Sequence, residues 1–312
     1  MIKTIAKENA IVAYKAVAID SYRSNFPYLV GESYHIDGEV KLYENGFHAC
    51  KCLIDAFNYY PIEWSRFAVV KLWGDVLFGI EQICASDIEI VEELSLTDVV
   101  KYYVSSKVDS LSKIFDKRIV LNEAENDLYI NGEWATIISI YDKKKIVING
   151  NNNDIMEKGE GNTILSLGDY CKISALRHVT SVLCGDFNTI NLLDGGYVVS
   201  NGNNCTTNIT HGFTHFVTNG NGNRIIATGK NIIDSKGIDN EIVMLGDHIF
   251  FRGTEGSTVI CAGKEKVVVG NGELMADTWY TYDDGVFQYN EIKNDIYNTV
   301  KKIQRSLAFG MN

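Results

Sequence analysis

The sequence predicts an α+β N-terminal domain followed by an all-β parallel β-solenoid, a right-handed stack of about eight rungs. Three observations support this fold class. A pattern of 17 or 18 residues repeats through the second half of the chain, the N-terminal third lacks it, and a hairpin signal follows it. The predicted parts are an N-terminal domain at 1–105, a linker and solenoid cap at 106–136, the solenoid at 137–275, and a C-terminal hairpin with an amphipathic helix at 276–312.

Three columns of residues keep their register along the repeat. The first is mainly aliphatic: Ile137, Ile155, Ile173, Ile190, Thr207, Ile225, Ile242 and Val259. Five positions before six of its members stands a glycine: Gly150, Gly168, Gly185, Gly202, Gly220 and Gly237, with a slip to Gly253. Two positions before the first column stand small polar residues: Asn153, Cys171, Asn188, Cys205, Asn223, Asn240 and Ser257.

Each rung is interpreted as two short strands joined by two turns. Glycine supplies the positive φ of a tight turn, and the Asn or Asp that usually follows tolerates the neighbouring strained position. Parallel pairing stacks rungs about 4.8 Å apart, so the aliphatic column becomes an internal ladder and the polar column bonds to the next rung. The cross-section, flattened or triangular, stays open. The right hand follows from the general preference of parallel crossovers.

A solenoid needs caps, because a bare end exposes unpaired strand edges. At the N-terminal end we predict a helix over residues 108–115 and a hairpin over residues 127–134. At the other end, residues 278–289 carry a strong hairpin signal around an Asp-Asp-Gly turn. Residues 291–307 then place apolar side chains at helical spacing, and this helix either folds back on the hairpin or pairs with a second chain.

The N-terminal residues have a different texture. Strands are predicted at residues 11–17, 67–76 and 88–91, the second of them ending near Gly74. A turn at Gly46 leads into a short strand, and residues 53–60 are predicted to be helical. Together they indicate a small α+β domain.

Composition narrows the function. The formal net charge is -11, which argues against binding to the nucleic acid backbone and suits a basic partner. The seven cysteines include no CxxC pair, residues 1–10 do not look like a signal peptide, and no apolar run reaches the roughly 18 residues of a membrane span. We therefore expect a cytoplasmic protein with reduced thiols and no membrane partner.

The N-terminal third resembles an uncharacterised phage and bacterial family. The resemblance lies in a Tyr-Lys-Ala strand at Tyr14, a Gly-Phe-His-Ala-Cys turn at Gly46, a helix with paired tyrosines, and an Arg-Phe-Ala-x-Val strand at Arg66. In that family a repeat region often follows, closed by an Asp-Thr-Trp-Tyr segment, which is found here from Asp277. The family implies no established activity.

The same segment resembles ADP-ribosyltransferases of the poly-ADP-ribose polymerase type. The matching features are Gly46-Phe47-His48-Ala49, Asn58-Tyr59, and the strand from Leu72 to Gly79. The resemblance implies catalytic roles for His48 and Asp87, with Glu89 as a second candidate acid, and cofactor contacts from Tyr14, Lys15, Phe47, Tyr59 and Tyr60. Here Tyr14-Lys15 stands where those enzymes have a histidine and a glycine, and His48 replaces their first tyrosine.

Each of these residues also has a purely structural interpretation. His48 can be a half-buried turn histidine that bonds to backbone, and Tyr59 and Tyr60 can pack the end of a helix. Cys50 and Cys52 lack further ligands nearby, so no metal site is predicted.

The predicted function is that of a phage- or prophage-type cytosolic binding protein. The N-terminal domain would recognise a ligand or nucleotide, and the solenoid would present a rigid surface to a host or phage protein, with no cofactor. One alternative is an NAD-dependent ADP-ribosyltransferase, for which NAD is the cofactor. A second alternative is a nucleic-acid mimic, for which Asp169 and Asp186 align although Asn replaces them in other rungs.

Overall fold

The computed structural model describes residues 2–18, 28–56, 59–60, 65–106, 112–115, 118–121, 127–246, 248–262 and 264–289. The chain divides into two compact units, Met1–Lys107 and Val108–Asn312. The protein is mostly β-structure.

Antiparallel strands dominate the N-terminal unit. Its elements are β1 (Lys3–Ile5), a 3-10 helix (Lys7–Asn9), β2 (Ile11–Ala18), β3 (Ser33–His35), β4 (Phe47–Cys50), α1 (Leu53–Ala56), β5 (Ser65–Phe78), β6 (Gln82–Leu94) and α2 (Leu96–Ser106). The sheet order is β1-β5-β2-β4-β6-β3, and β5 also pairs with β6, which closes β2, β4, β6 and β5 into a ring. Apolar side chains share one core here: Ala13, Phe47, Ala49, Val70, Leu72, Val76, Ile83, Ala85, Ile88 and Ile90.

The strand predicted at 67–76 and the helix predicted at 53–60 have different ends in the structure. β5 continues past Gly74, which has a φ of 75° within a bulge of the strand instead of ending it. A Cβ at Gly74 would lie 2.0 Å from Asp87 Oδ2, so a side chain has no room there. The helix predicted at residues 53–60 is present at Leu53–Ala56 as α1. Residues 57–58 lie outside the described part, and Tyr59 and Tyr60 lie in a turn in which Tyr60 N–H donates to Ala56 O.

The helix α2 was not predicted from the sequence. Its run of valines and tyrosines favours a strand by propensity. A capping signal was present, however, because Ser95 Oγ accepts a hydrogen bond from Asp98 N–H at 3.1 Å and donates to Asp98 Oδ2 at 2.6 Å. Even with α2, the described part of this unit is mainly β-structure.

The second unit is a stack of short strands. They are β7 (Ser112–Phe115), β8 (Arg118–Val120), β9 (Asp127–Glu133), β10 (Thr136–Ser139), β11 (Lys145–Asn149), β12 (Asp154–Glu157), β13 (Asn162–Ser166), β14 (Lys172–Ala175), β15 (Val179–Leu183), β16 (Thr189–Ser200), β17 (Thr206–Thr218), β18 (Arg224–Ala227), β19 (Asn231–Ser235), β20 (Glu241–Met244), β21 (Ile249–Gly253), β22 (Thr258–Cys261), β23 (Val267–Val268), β24 (Tyr280–Asp283) and β25 (Val286–Tyr289).

The predicted β-solenoid is confirmed, with about eight turns over residues 118–261. Each rung gives one strand to each of two parallel ladders. The first ladder contains β8, β10, β12, β14, the first halves of β16 and β17, β18, β20 and β22; the second contains β9, β11, β13, β15, the second halves of β16 and β17, β19 and β21. The aliphatic column is in register throughout the first ladder and begins one rung earlier, at Ile119.

Both predicted boundaries of the stack shift. The helix predicted at 108–115 is wrong for the four residues described there, since β7 is a strand that pairs in parallel with β9. The hairpin predicted at 127–134 is instead the single strand β9, parallel to β11. At the far end, parallel pairing stops at β22, to which β23 pairs antiparallel. The β24–β25 hairpin is present and pairs antiparallel with β21, whereas the helix predicted at 291–307 lies outside the described residues.

The glycine column exists for a different reason from the one predicted. A Cβ on Gly185 would lie 2.0 Å from the carbonyl oxygen of Gly168 in the preceding rung, and one on Gly202 would lie 1.8 Å from that of Gly185. Of the seven glycines, only Gly150 has a positive φ, of 154°, which lies outside the left-handed helical region. Left-handed φ angles fall instead two residues after Gly132 and after the glycines from Gly150 to Gly237, at Trp134, Asn152, Tyr170, Phe187, Asn204, Gly222 and Asp239, and three residues after Gly253, at Gly256. Close approach of successive rungs therefore requires the glycines.

Two columns of polar side chains bond from rung to rung. In the column that follows the glycines, Asp169 Oδ1 accepts from Asp186 N–H at 2.8 Å, so these residues satisfy backbone donors. In the predicted Asn and Cys column, Asn223 Oδ1 accepts from Cys205 N–H at 2.7 Å and its amide donates to Gly202 O at 3.1 Å. Buried backbone groups in the turns are satisfied in this way, because the turns have no ladder partners of their own.

One carboxyl group is buried inside the stack. Glu157 is fully buried; its Oε1 accepts from Gly159 N–H and the Asn162 amide, and its Oε2 has no partner among the described residues. Desolvation by burial raises its pKa to about 7, against the hydrogen bonds, which lower it.

We predict that Gly185→Ala destabilises the solenoid by at least about 2 kcal/mol, because the new methyl group would overlap the Gly168 carbonyl. Urea unfolding followed by circular dichroism measures this. Gly253→Ala is the matched control: its Cβ would meet only side chains, the nearest at 3.3 Å. Equal losses for the two variants would contradict the explanation.

We also predict a pH dependence from Glu157. Its pKa in the folded state lies above the ordinary value of 4.5, so the folded protein keeps a proton that the unfolded chain releases. Stability therefore falls as pH rises from about 4.5 to about 7, by on the order of 3 kcal/mol, and then levels off. Glu157→Gln should remove this slope in urea titrations at several pH values, and Asp154→Asn, on the same strand, should keep it.

Candidate ligand pocket in the N-terminal unit

Lys15 points into the strand ring of the N-terminal unit. It lies on β2 two residues after the core residue Ala13, so alternation places both side chains on the same face. Its neighbour Tyr14 points the other way and contacts the Tyr102 ring of α2, with centroids 6.5 Å apart. The sequence analysis grouped Tyr14 and Lys15 in one cofactor site, and the strand separates them.

The Lys15 side chain is half-buried, and its ammonium group has no counter-ion among the described residues. It donates a hydrogen bond to His48 O at 2.9 Å and lies 4.8 Å from the centre of the Tyr28 ring. Burial lowers its pKa from 10.5 to about 8, and no described carboxylate pairs with it. At neutral pH the group is still mostly charged, so the protein holds a desolvated positive charge here.

A pocket opens beside this charge at the end of the ring. It is lined by Lys15, Val17, Tyr28, Arg66, Ala68, Ile90 and Glu93. Arg66 Nη1 pairs with Glu93 at 3.1 Å, while Arg66 Nε is buried and has no partner among the described residues. A cation and an unused N–H donor therefore stand among apolar walls, an arrangement complementary to an anionic group on an organic ligand.

His48 is occupied by local hydrogen bonds. Its Nε2 accepts from Tyr43 N–H at 2.7 Å, which leaves Nδ1 as the donor to Gly46 O at 3.0 Å. Burial lowers the pKa of His48, with a further contribution from Lys15, so the neutral ring fits both bonds. This geometry matches the alternative of a turn histidine that bonds to backbone.

Asp87 belongs to a separate network. Its Oδ1 is 2.8 Å from His35 Nδ1, and its Oδ2 accepts from Ser86 Oγ at 2.5 Å. The hydrogen bond to Asp87 raises the pKa of His35. His48 is paired across the sheet with Cys84, three residues before Asp87, so the two predicted catalytic residues are offset by about 10 Å along β6. The sequence analysis did not identify His35.

The predicted aromatic contacts do not gather around one cavity. Phe47 is buried in the ring core, and its nearest described ring partner is Tyr28, at 6.5 Å. Tyr59 is exposed and donates to Glu81 at 3.1 Å, and Tyr60 is also exposed. Tyr28, which lines the pocket, carried no motif by which the sequence could have identified it.

Cysteines and histidines form no metal centre in the described part of the chain, where no group of three or more metal-binding side chains comes together. Cys50 is buried and Cys52 is exposed, so the two thiols of the CxC pair lie in different environments. Burial raises the pKa of the Cys50 thiol to about 11, which makes it a poor nucleophile. No helix among the described residues has the length and apolarity of a membrane span.

The solenoid carries an aromatic edge, defined here as Trp134, Tyr170 and Phe187. All three occupy the left-handed position of the first turn and are exposed by 61%, 58% and 45%. The Tyr170 and Phe187 rings stack in successive rungs, with centroids 4.9 Å apart and planes 7° apart. A left-handed φ is unfavourable for bulky residues, and Asn, Asp or Gly holds this position in the other rungs, so folding alone does not call for aromatic residues there.

Comparison with known proteins assigns part of the chain. No curated protein and no solved structure matches it significantly. Residues 11–102, which include the pocket residues on β2, β5 and β6, match the model of a family described as a domain of unknown function (DUF7666).

Proposed function

We propose that this protein is a binding protein. Its N-terminal unit takes an anionic ligand, such as the phosphate groups of a nucleotide, and its solenoid presents a rigid surface to a protein partner. The observation that carries the ligand site is Lys15, a buried ammonium group without a described counter-ion at the edge of a pocket. A buried charge is unfavourable unless it is paired, and an anionic ligand supplies the missing partner.

The pocket suits one small anionic group. The Lys15 ammonium is a compact charge suited to a phosphate or carboxylate oxygen, and Arg66 Nε adds a directional donor. Val17, Ala68 and Ile90 form apolar walls around a space of about one water molecule, so the rest of a larger ligand would lie outside the pocket. Glu93 already pairs with Arg66 and so opposes the anion less than a free carboxylate would.

The partner surface rests on the aromatic edge. Tyr and Trp are enriched among residues that dominate protein interfaces, and a stacked, rigid pair loses little conformational entropy on binding. The net charge of -11 favours a basic partner. The hairpin β24–β25 would cap the stack. A phage or prophage origin and a cytoplasmic location, with a host or phage protein as the partner, belong to this proposal.

The two alternatives have weaker support. ADP-ribosyl transfer rests on the order of motifs, and the described contacts engage His48 and Asp87 in separate networks. Nucleic-acid mimicry needs rows of carboxylates, and the Oδ1 atoms of Asp169 and Asp186 already accept backbone N–H groups.

We predict that pyrophosphate, ADP-ribose or NAD binds the full chain and that Lys15→Met weakens the binding at least about tenfold, the effect of losing one charge-assisted contact. Isothermal titration calorimetry measures this. Affinity should also fall as pH rises through about 8, because the ammonium group loses its proton there.

The matched control is Lys71→Met, since Lys71 is exposed on β5. The ligand part of the proposal is wrong if none of the three compounds binds, or if Lys15→Met and the control bind equally.

A second prediction concerns the aromatic edge. The double variant Tyr170→Asn/Phe187→Asn should keep or slightly raise the stability, by up to about 1 kcal/mol, because Asn adopts the left-handed conformation more readily. It should nevertheless lose a partner that the wild-type chain retains in pull-downs from a bacterial lysate.

Leu176→Asn/Leu193→Asn is the control, since these leucines are exposed in the same two rungs at the other turn. Retention of the same proteins by the wild type and both variants would refute a role for the aromatic edge.

A further inference from the structure

A small residue leaves an open space beside the Lys15 side chain. Across the strand ring, Lys15 on β2 is in register with Ala68 on β5, and Ala68 is in register with Glu93 on β6. Ala68 ends at its Cβ atom, so the middle of this row is left unfilled. The pocket described above lies there, and its space is about that of one water molecule.

Arg66 stands in the neighbouring row. It is in register with Val17, two residues after Lys15 on β2, so the Lys15 and Arg66 side chains share the inner face as diagonal neighbours. Diagonal residues on paired strands are about 7–8 Å apart, a distance that long side chains can span. Arg66 Nε is inaccessible to solvent and has no partner among the described residues. A group attached to the Lys15 nitrogen would therefore have an unused N–H donor within reach.

The Lys15 nitrogen is available as a nucleophile. Burial lowers its pKa from 10.5 to about 8, so about a quarter of it is neutral at about pH 7.5, against about one part in a thousand for an ordinary lysine. Only the neutral amine has a free lone pair. Its hydrogen bond to His48 O at 2.9 Å uses one N–H and leaves that lone pair free. The Tyr28 ring, 4.8 Å away, favours the ammonium form, and the His48 ring is neutral because burial and Lys15 lower its pKa.

Among the described residues, no unpaired anion holds Lys15 in its charged form. Cys50 and Cys84 would do so as thiolates, but burial raises the pKa of both thiols to about 11, so they are neutral at physiological pH. Glu93 lies in the same row, and its carboxylate pairs with Arg66 Nη1 at 3.1 Å. The balance between ammonium and amine therefore depends mainly on desolvation.

The size and the walls of the space select the electrophile. Carbon dioxide is small and carries no net charge, so it can pass the apolar walls of Val17, Ala68 and Ile90 without losing strong hydration. Larger carbonyl compounds need more room than the space offers. The product of carbon dioxide with an amine is an anion, which suits the unused N–H of Arg66.

We propose that carbon dioxide reacts reversibly with Lys15 Nζ to form a carbamate, whose oxygens accept a hydrogen bond from Arg66 Nε. The amine lone pair attacks the carbon, an N–C bond forms, and the electron pair of one C=O π bond moves to oxygen. One N–H proton leaves to water, so the products are the carbamate anion and a hydrated proton. The remaining N–H can still donate to His48 O, and no oxidant or further reactant is needed.

Formation of the carbamate would change the charge of the pocket. A negative group would replace a positive one at the same position, so an anionic ligand would be repelled. Carbon dioxide would then regulate the proposed ligand site. This regulatory consequence rests on the proposed function, whereas the carbamate itself rests on the pocket and its lysine and can be tested without any ligand.

The test traps the carbamate on the full wild-type chain. The protein is equilibrated with carbon-13-labelled bicarbonate and carbon dioxide, treated with triethyloxonium to convert any carbamate into a stable ethyl ester, and mapped by peptide mass spectrometry. We expect at least about tenfold more adduct on Lys15 than on the exposed Lys71 of β5, because more of Lys15 is neutral. At constant carbon dioxide pressure the adduct should increase from about pH 6.5 to about pH 8.5. Equal labelling of the two lysines would overturn the inference.

Three variants separate a reaction in the pocket from general reactivity. Ala68→Val fills the space and Arg66→Gln removes the N–H donor, and each should lower the Lys15 adduct at least about fivefold. Arg118→Gln changes an exposed arginine of the solenoid and should leave the adduct unchanged. An adduct that neither pocket variant lowers would also refute the inference. Failure of pyrophosphate to bind would refute only the ligand proposal, since the trapping experiment contains no ligand.

Discussion

The close approach of backbones at the first turn of each rung governs the solenoid. The six glycines of the column from Gly150 to Gly237 each lie against the carbonyl of the glycine one rung earlier, where a Cβ would come within 1.8–2.0 Å of that oxygen. Polar side chains on either side of this contact bond to backbone groups of adjacent rungs. Contact and hydrogen bonds together fix the register, because a slip of one residue would bring a side chain into the glycine position and leave the turn donors unsatisfied.

Once the register of the rungs is fixed, equivalent residues of successive rungs lie directly above one another, which determines the position of every other column. The aliphatic column of the first ladder points inward in every rung, and its members from Ile137 to Val259 are almost completely buried. The left-handed position also recurs in every rung, so aromatic residues placed there line up along one edge and two of them stack. A repeat that satisfies its own backbone thus leaves its turn residues available for binding.

The structure of the N-terminal unit depends on a different constraint, the closure of its strands into a ring. Because its strands close into a ring, the unit has an interior lined by one face of each strand. Side chains alternate between the two faces of β2, so Lys15 lies on the same interior face as the core residue Ala13. The backbone carbonyl of His48 accepts a hydrogen bond from Lys15, while the His48 ring supports the turn between Tyr43 and Gly46. The histidine therefore shapes the wall of the pocket, and the lysine provides its charge. A buried charge next to a cavity is typical of functional sites.

The sequence by itself determined the solenoid, its rung length and the inward column, because a repeat with two strands per rung must place equivalent residues in register. It also indicated the C-terminal hairpin from its turn residues. Local patterns could not show that the stack begins at Arg118, because no glycine stands five positions before Ile119. Nor could they show that α2 is a helix, because its valines favour a strand. Only the tertiary structure decided which candidate residues meet. Contacts in the N-terminal unit depend on how β4, β5 and β6 pair across long sequence separations, and that pairing separates His48 from Asp87 and brings Lys15, Tyr28 and Arg66 to one pocket.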